Sequence, residues 1–345
     1  MIFIRVDGNE KIGLGHVMRC LSIADAFVEK SKNVTFVVAD NKCESIITDR
    51  GFKCIILGSD YTDMDAEEPT FSTILMDFSP EIMIVDSYFV TEQYLLFLKQ
   101  KANTVYIDDV LSFPYPVDIL INYNIFSSYD DYQKLYTSID KKPVFLLGTE
   151  YVPLRKEFSA CRQREPNQGV KNIFVSTGGA DPLHIGIKLL QYLIEHQSEF
   201  EKYVFKYVVG SVNRDLDKIM SLAEELPNVE LNIDVKDMCS LMCECDLAIS
   251  AAGSTLYELC AVGVPTITYT FSDNQLPAAN AFHEKGIMIN VGDIRNDIDA
   301  ITAVFKEVRI LILNESSREV MKKIGRSVLD GFGAKRISNS ITNDI

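Results

Sequence analysis

The sequence is short of positive charge: 34 lysines and arginines face 49 aspartates and glutamates, a formal charge of −15. Such a field repels nucleic acid and anionic membranes, so neither is expected as a partner, and an anionic ligand must be held by local donors such as helix N-termini. No apolar run approaches the roughly 20 residues that cross a bilayer. The chain opens on the strand-like MIFIRV instead of a charged and then apolar leader, so a cytoplasmic protein without membrane insertion is expected. The 8 cysteines lack the spacing of a small-domain disulfide framework, which fits a reducing compartment. Only Cys239, Cys243 and Cys245 cluster. Their spacing matches no zinc pattern and no histidine is near, and DMCSLMCECDLAIS reads as an amphipathic helix feeding a strand, so they are expected to pack in a core, with no metal. Two phosphate signatures are also missing. Gly13-x-Gly15 is followed by Met18 where a dinucleotide fingerprint has glycine, and no Gly-Lys-Ser/Thr of a P-loop occurs. Only Asp40, placed like a ribose-binding acid, keeps a dinucleotide reading open.

What is there is alternation. Short apolar runs and helical periodicity follow one another through all 345 residues, enough for two domains. The pattern predicts an α/β protein of strand-helix-strand units on parallel sheets. The first half offers IFIRV, VTFVVA, CIILG, IMIVD, TVYID and DILIN as strands, with helices near 17–30, 43–50 and 91–101; the second offers NIFVST, VFKYVVG, VELNI, LAISA, TITYT and IMIN. The polar CRQREPNQG separates the halves. The expected organisation is therefore an amino-terminal domain over 1–160, a linker at 161–169, a second domain over 170–330 and a tail at 331–345. Periodicity leaves open whether that tail caps the second domain or returns to the first.

Open parallel sheets bind ligands beyond the carboxyl ends of their strands, and four stretches lie there. KIGLGHVMRC, residues 11–20, sets two glycines, His16 and Arg19 where a strand passes into a helix expected from about Val17. Its imidazole is either a general base at the mouth of the sheet or a solvated helix-start residue. Arg19 either touches an anion or pairs with an acid such as Asp7. In VSTGGADP, 175–182, Gly178 and Gly179 let amide groups converge on an anion, unless the segment is a plain turn with Asp181 capping and Pro182 opening a helix. AISAAGSTLYELCAVGVP, 248–265, leads through small residues into a helix from Ser254 or Thr255 whose amides suit a diphosphate. Glu258 there either completes a capping box with Thr255 or accepts ribose hydroxyls. In FSDNQLPAANAF, 271–282, Asn274, Gln275 and Asn280 offer paired donors and acceptors for sugar hydroxyls. Asp86 and Tyr88 follow one strand of the first half, Asn122 and Asn124 another.

Taken in order, RVDGNEKIGLGHVMRC, IVDSYFV, YIDD, DILINYN, YVPLRKEF, STGGADPL, AAGSTLYEL and DNQLPAANA resemble the UDP-sugar hydrolases of the pseudaminic-acid pathway, members of the GT-B superfamily, over nearly the whole chain to about residue 290. The second half is also similar to the nucleotide-binding half of the glycosyltransferase that adds N-acetylglucosamine in peptidoglycan synthesis. The resemblance implies a GT-B fold, two Rossmann-like doubly wound domains facing across a cleft, and hydrolysis of UDP-2,4-diacetamido-2,4,6-trideoxy-β-L-altrose with inversion, without metal or cofactor. It implies His16 as the base for water, with Tyr88 orienting it, and Gly15 beside the sugar. Glu258 would hold the ribose, while Gly179, Gly253, Ser254 and Thr255 face the diphosphate, and Asn122, Asn124 and Arg155 line the sugar side. The partner is then a UDP-linked acylated amino sugar. An inverting glycosyltransferase with the same base, a nucleotide-sugar sensor and a nicotinamide-dependent oxidoreductase are the alternatives. The hydrolase reading expects the imidazole to be reachable from the gap between the halves; a buried ring counts against it.

Overall fold

The structure is a computed structural model and describes residues 1–161, 169–210, 213–295, 297 and 299–344. The chain divides into two units, Met1–Arg155 together with Phe332–Ile345, and Lys156–Gly331. The chain thus leaves the first unit at Arg155, ahead of the expected linker, of which residues 162–168 lie outside the described residues.

In the first unit, apolar runs rich in Val, Ile and Phe form seven strands: β1 (Ile2–Val6), β2 (Val34–Val38), β3 (Lys53–Ile56), β4 (Ile82–Asp86), β5 (Asn103–Ile107), β6 (Ile119–Asn122) and β7 (Val144–Leu147). They pair in parallel in the order β3-β2-β1-β4-β5-β6-β7. The inner strands β1, β2 and β4 are buried at every position, as a sheet covered on both faces requires. Chain order reverses between β1 and β4, where Val6 pairs with Asp86. The second unit has β8 (Asn172–Ser176), β9 (Val204–Val209), β10 (Val229–Ile233), β11 (Leu247–Ala251), β12 (Thr266–Thr270) and β13 (Met288–Asp293), parallel in the order β10-β9-β8-β11-β12-β13. Its reversal lies between β8 and β11. Side chains such as Ile173, Phe205, Leu247 and Phe305 fill its core, each worth about 1.5–3 kcal/mol on full burial.

The tail returns to the first unit. Its helix, Gly333–Asp344, packs against the helix Gly15–Val28 with Ile337 and Ile341 fully buried. Lys30 donates to Thr342 Oγ1 at 2.9 Å, and Arg336 to the Glu150 carbonyl at 2.9 Å. Gly333 makes the closest approach, since a Cβ there would stand 2.1 Å from the Val152 carbonyl oxygen. Backbone cannot yield as a side-chain tip does, so Gly333→Ala is expected to destabilise the chain by about 1–3 kcal/mol in urea unfolding. An unchanged midpoint would show that the tail is not fastened there. The preceding basic helix, Glu315–Val328, spends two arginines on carbonyls at other helices' ends: Arg318 on Leu311 and Ile312, and Arg326 on Val262.

Candidate active site

The first unit's reversal point gathers titratable groups from several strand ends. The loop after β1 is locked by itself: Asn9 and Gly13 exchange backbone hydrogen bonds at 3.3 and 2.8 Å, and Asn9 Oδ1 accepts from the amides of Lys11 and Ile12. Gly13 takes φ +76°, where a side chain is strained. A Cβ on Gly8 would meet Val17 Cγ2 at 2.7 Å, so the loop lies tightly over the helix start. That helix begins at Gly15, two residues before the expected start, and carries His16 and Arg19 towards the end of β4.

His16 Nδ1 lies 2.6 Å from Asp86 Oδ1, and its ring meets Tyr88 edge to face with centroids 4.5 Å apart. Arg19 grips both carboxylate oxygens of Asp86 at 2.5 Å, donates to Tyr123 Oη at 2.6 Å and pairs with Asp109 at 2.8 Å. Arg19 therefore binds Asp86 and Asp109, not Asp7, which Arg5 holds at 2.5 Å. Burial pushes the Asp86 carboxyl up, but Arg19 and His16 outweigh it and hold it well below the usual carboxylate range. An ionised Asp86 only accepts, so the 2.6 Å contact places a proton on Nδ1. Arg19 Nη2 approaches the same nitrogen at 2.9 Å. The two Nη2 protons have acceptors in Asp86 and Asp109, so neither requires Nδ1 as an acceptor. A neutral imidazole in this tautomer keeps its lone pair on Nε2, for which no partner stands among the described residues.

Two expectations change here. His16 is not an open residue at a loop edge: it is 6% exposed, because Asp86 and Tyr88 close over the ring, and this weighs against the reading that required ready access. Tyr88 itself is 41% exposed. Asn122 and Asn124 are buried and engaged internally. Asn122 donates to Tyr132 Oη at 2.9 Å and accepts the Asn124 amide at 3.0 Å, while Asn124 donates to Asp109 at 2.7 Å. They support Asp109, and through it Arg19, instead of presenting free amides. Tyr132 and Tyr115 in turn donate to the buried Asp108. Sequence reasoning passed over Asp108, Asp109 and Tyr123; the paired acids just after β5 were the visible signal for the first two. Gly15 opens the helix, and Arg155, half-buried, ends the first stretch of this unit.

The second unit repeats the arrangement at its own reversal point. After β8, Gly178 takes φ +85° and Gly179 is exposed. A Cβ on Gly210, at the end of β9, would lie 2.5 Å from the Gly179 carbonyl, which fixes this turn against the neighbouring strand. Asp181 does cap the following helix, accepting the amides of Ile185 and Gly186 at 2.9 and 2.7 Å, but the helix opens at Ile185, so Pro182 lies in the turn ahead of it. After β11 the helix Thr255–Val262 has Ser254 as N-cap with no side-chain cap bond. Thr255 thus stands one place too late for the capping box. Gly253 spends its amide on the Ala251 carbonyl at 2.9 Å, which removes it as an anion donor. Ser254 and Thr255 keep theirs unpaired among the described residues. Glu258 is half-buried in the first turn. After β12, Gln275 Oε1 accepts the Phe271 amide at 2.9 Å, Asn274 Oδ1 accepts from Ser272, and Asn280 accepts from Asn290.

Cys239 and Cys245 are buried as expected, whereas Cys243 is half-buried, and the bond to Cys161 was not foreseen. Cys239 is bonded to Cys161, and Cys243 joins them, while Cys245 Sγ faces the Leu241 carbonyl. Cys161 lies 78 residues from Cys239, and only the folding of its segment onto the helix Met238–Cys243 reveals the group. No helix among the described residues is long and apolar enough to cross a membrane.

Two doubly wound parallel-sheet units of this order define a GT-B fold. The Acinetobacter baumannii MurG structure superposes with a TM-score of 0.66 over 99% of this chain and 98% of that one, at 12% identity. Residues 172–330, within the second unit, match the Glycosyltransferase family 28 C-terminal domain. The chain is 22% identical over 297 residues to the UDP-2,4-diacetamido-2,4,6-trideoxy-beta-L-altropyranose hydrolase of Campylobacter jejuni, covering 83% of this chain and 97% of that protein. It is 27% identical over 192 residues to the spore coat polysaccharide biosynthesis protein SpsG of Bacillus subtilis, covering 55% of this chain and 56% of that protein. The chain thus spans about half the length of the Bacillus relative.

Proposed function

We propose that this chain hydrolyses a UDP-linked acylated amino sugar, the diacetamido-trideoxyaltrose named for the Campylobacter relative, with water attacking the anomeric carbon and UDP leaving with inversion. The observation that carries the reading is the His16–Asp86 contact of 2.6 Å at the reversal point of the first sheet. Asp86 holds the proton on Nδ1, so Nε2 takes the proton of water as its oxygen bonds to carbon. Tyr88, beside the ring, orients that water, and the 7% of the His16 side chain left exposed is the approach to it. In the second unit, Ser254 and Thr255 give amides to the diphosphate, where the helix dipole stabilises the charge that develops on the departing phosphate. Gly179 faces the same group, and Glu258 holds the ribose. Gly15, Arg155, Asn274 and Gln275 complete the sugar side, and no step calls for a metal.

The test is turnover of that UDP-sugar in ¹⁸O-labelled water. Release of unlabelled UDP, with the label on the sugar's anomeric oxygen, is the expected result; label in UDP means attack at phosphorus and ends the proposal. The family 28 domain favours a second reading, an inverting transferase in which His16 deprotonates an acceptor hydroxyl. Sugar transferred to an added acceptor, with little released in water alone, would select it.

A further inference from the structure

We infer that Cys161, Cys239 and Cys243 form a three-sulfur site for thiol–disulfide exchange, whose co-substrates are low-molecular-weight thiols and their disulfides. The three Sγ atoms lie within 4.8 Å of one another. Cys161 and Cys239 are joined, with Cα atoms 6.7 Å apart, the upper end of the span a disulfide bridges. Cys239 and Cys243 are four residues apart in the helix Met238–Cys243, so they stand on one face a single turn from each other. Cys161 follows the short helix Glu157–Ala160, where the chain has just entered the second unit, and meets that face from a separate segment. Cys239 Sγ lies 3.3 Å from the Glu157 carbonyl, and Cys243 Sγ 3.9 Å from that of Cys161. Both sulfurs of the helical turn are thus within reach of the same third cysteine.

Exposure sets the order of events. Cys239 is 1% exposed, whereas Cys161 and Cys243 are half-buried. A small thiol or disulfide from solvent meets Cys161 or Cys243 first. Within the site, a deprotonated Cys243 sulfur attacks Cys161 Sγ. The Cys161–Cys243 bond forms, the Cys161–Cys239 bond breaks, and Cys239 leaves as a thiolate that takes up a proton. No electrons are gained or lost. Opening by glutathione oxidises two glutathione thiols to glutathione disulfide and yields two cysteine thiols; closing is the reverse, with glutathione disulfide as oxidant. In either closed form the first segment of the second unit is fastened to the helix Met238–Cys243, and in the open form it is not.

The full chain, equilibrated across a series of glutathione to glutathione-disulfide ratios, quenched with acid, alkylated and mapped by tandem mass spectrometry, tests this. Cys243→Ser is expected to link Cys161 to Cys239, and Cys239→Ser or Cys239→Ala to link Cys161 to Cys243, the linked fraction rising about tenfold or more from the most reducing to the most oxidising buffer. Wild type should give both isomers, and Cys161→Ser no link to either partner. Alkylation of Cys161 and Cys243 in every buffer for both Cys239 variants overturns the exchange. So does one equivalent of zinc holding all three wild-type thiols reduced across the series.

Discussion

His16→Gln is expected to lower UDP release from the diacetamido-trideoxyaltrose donor by about 10²- to 10⁴-fold, the range that a positioned base contributes. Glutamine keeps a polar group beside Asp86 and fills most of the ring's space, so packing against Tyr88 is largely retained. It has no nitrogen that takes a proton near neutral pH. Binding of UDP should stay near wild type, because the amides proposed to hold the diphosphate belong to the second unit. Asp86→Asn should lower the rate by a similar order for a different reason: an asparagine amide donates to Nδ1, which moves the ring proton to Nε2 and ends its use as a base. It also leaves Arg19 with Asp109 as its one carboxylate partner among the described residues, so its stability must be measured alongside. Turnover by His16→Gln within a few-fold of wild type would remove His16 from the mechanism whatever the substrate.

Arg5→Met is expected to cost about 3–5 kcal/mol of stability. Arg5 is fully buried in β1 and donates to both oxygens of Glu67 at 2.7 and 2.8 Å and to Asp7 at 2.5 Å. Glu67 is equally buried and accepts from Tyr94 at 2.5 Å and Ser59 at 2.9 Å. Methionine fills the volume but leaves two acids without their cation in a medium that solvates charge poorly. The double variant Arg5→Met with Glu67→Met removes one of the stranded charges too, so it should recover a good part of the loss. Urea unfolding of the three proteins gives the comparison; a single variant as stable as wild type would mean that water or rearrangement relieves the charge. Asp7 also accepts the Ala39 amide at 2.8 Å and so ties β1 to the end of β2. The loss therefore falls on the strand that leads into the His16 loop.

Much of this architecture was legible in composition and period. Twelve short apolar runs were expected as strands and each became one, because a parallel sheet covered on both faces demands continuous Val, Ile and Phe. Edge strand β7, VFLL, was overlooked since it is brief and follows the polar KKP. The helix Glu68–Phe78 was overlooked as well, its start softened by Pro69. In the first site, the histidine, the tyrosine and Asp86 were recognisable by their place after strands. The asparagines were recognised as polar, but what they bond was not.

By itself the sequence determined the class of fold, the strands, and the loops that stand at their carboxyl ends, since these follow from local periodicity and from where glycine and small residues fall. Tertiary structure alone decided the rest. It turned Arg19 to Asp86 and Asp109, buried the His16 ring, spent the Gly253 amide on Ala251, returned the last helix to the first unit and brought Cys161 to Cys239. Each of these joins residues distant along the chain or depends on which way a side chain or amide points. Neighbouring letters do not encode such choices, because they are made by whichever partner the packed sheets happen to bring within about 3 Å.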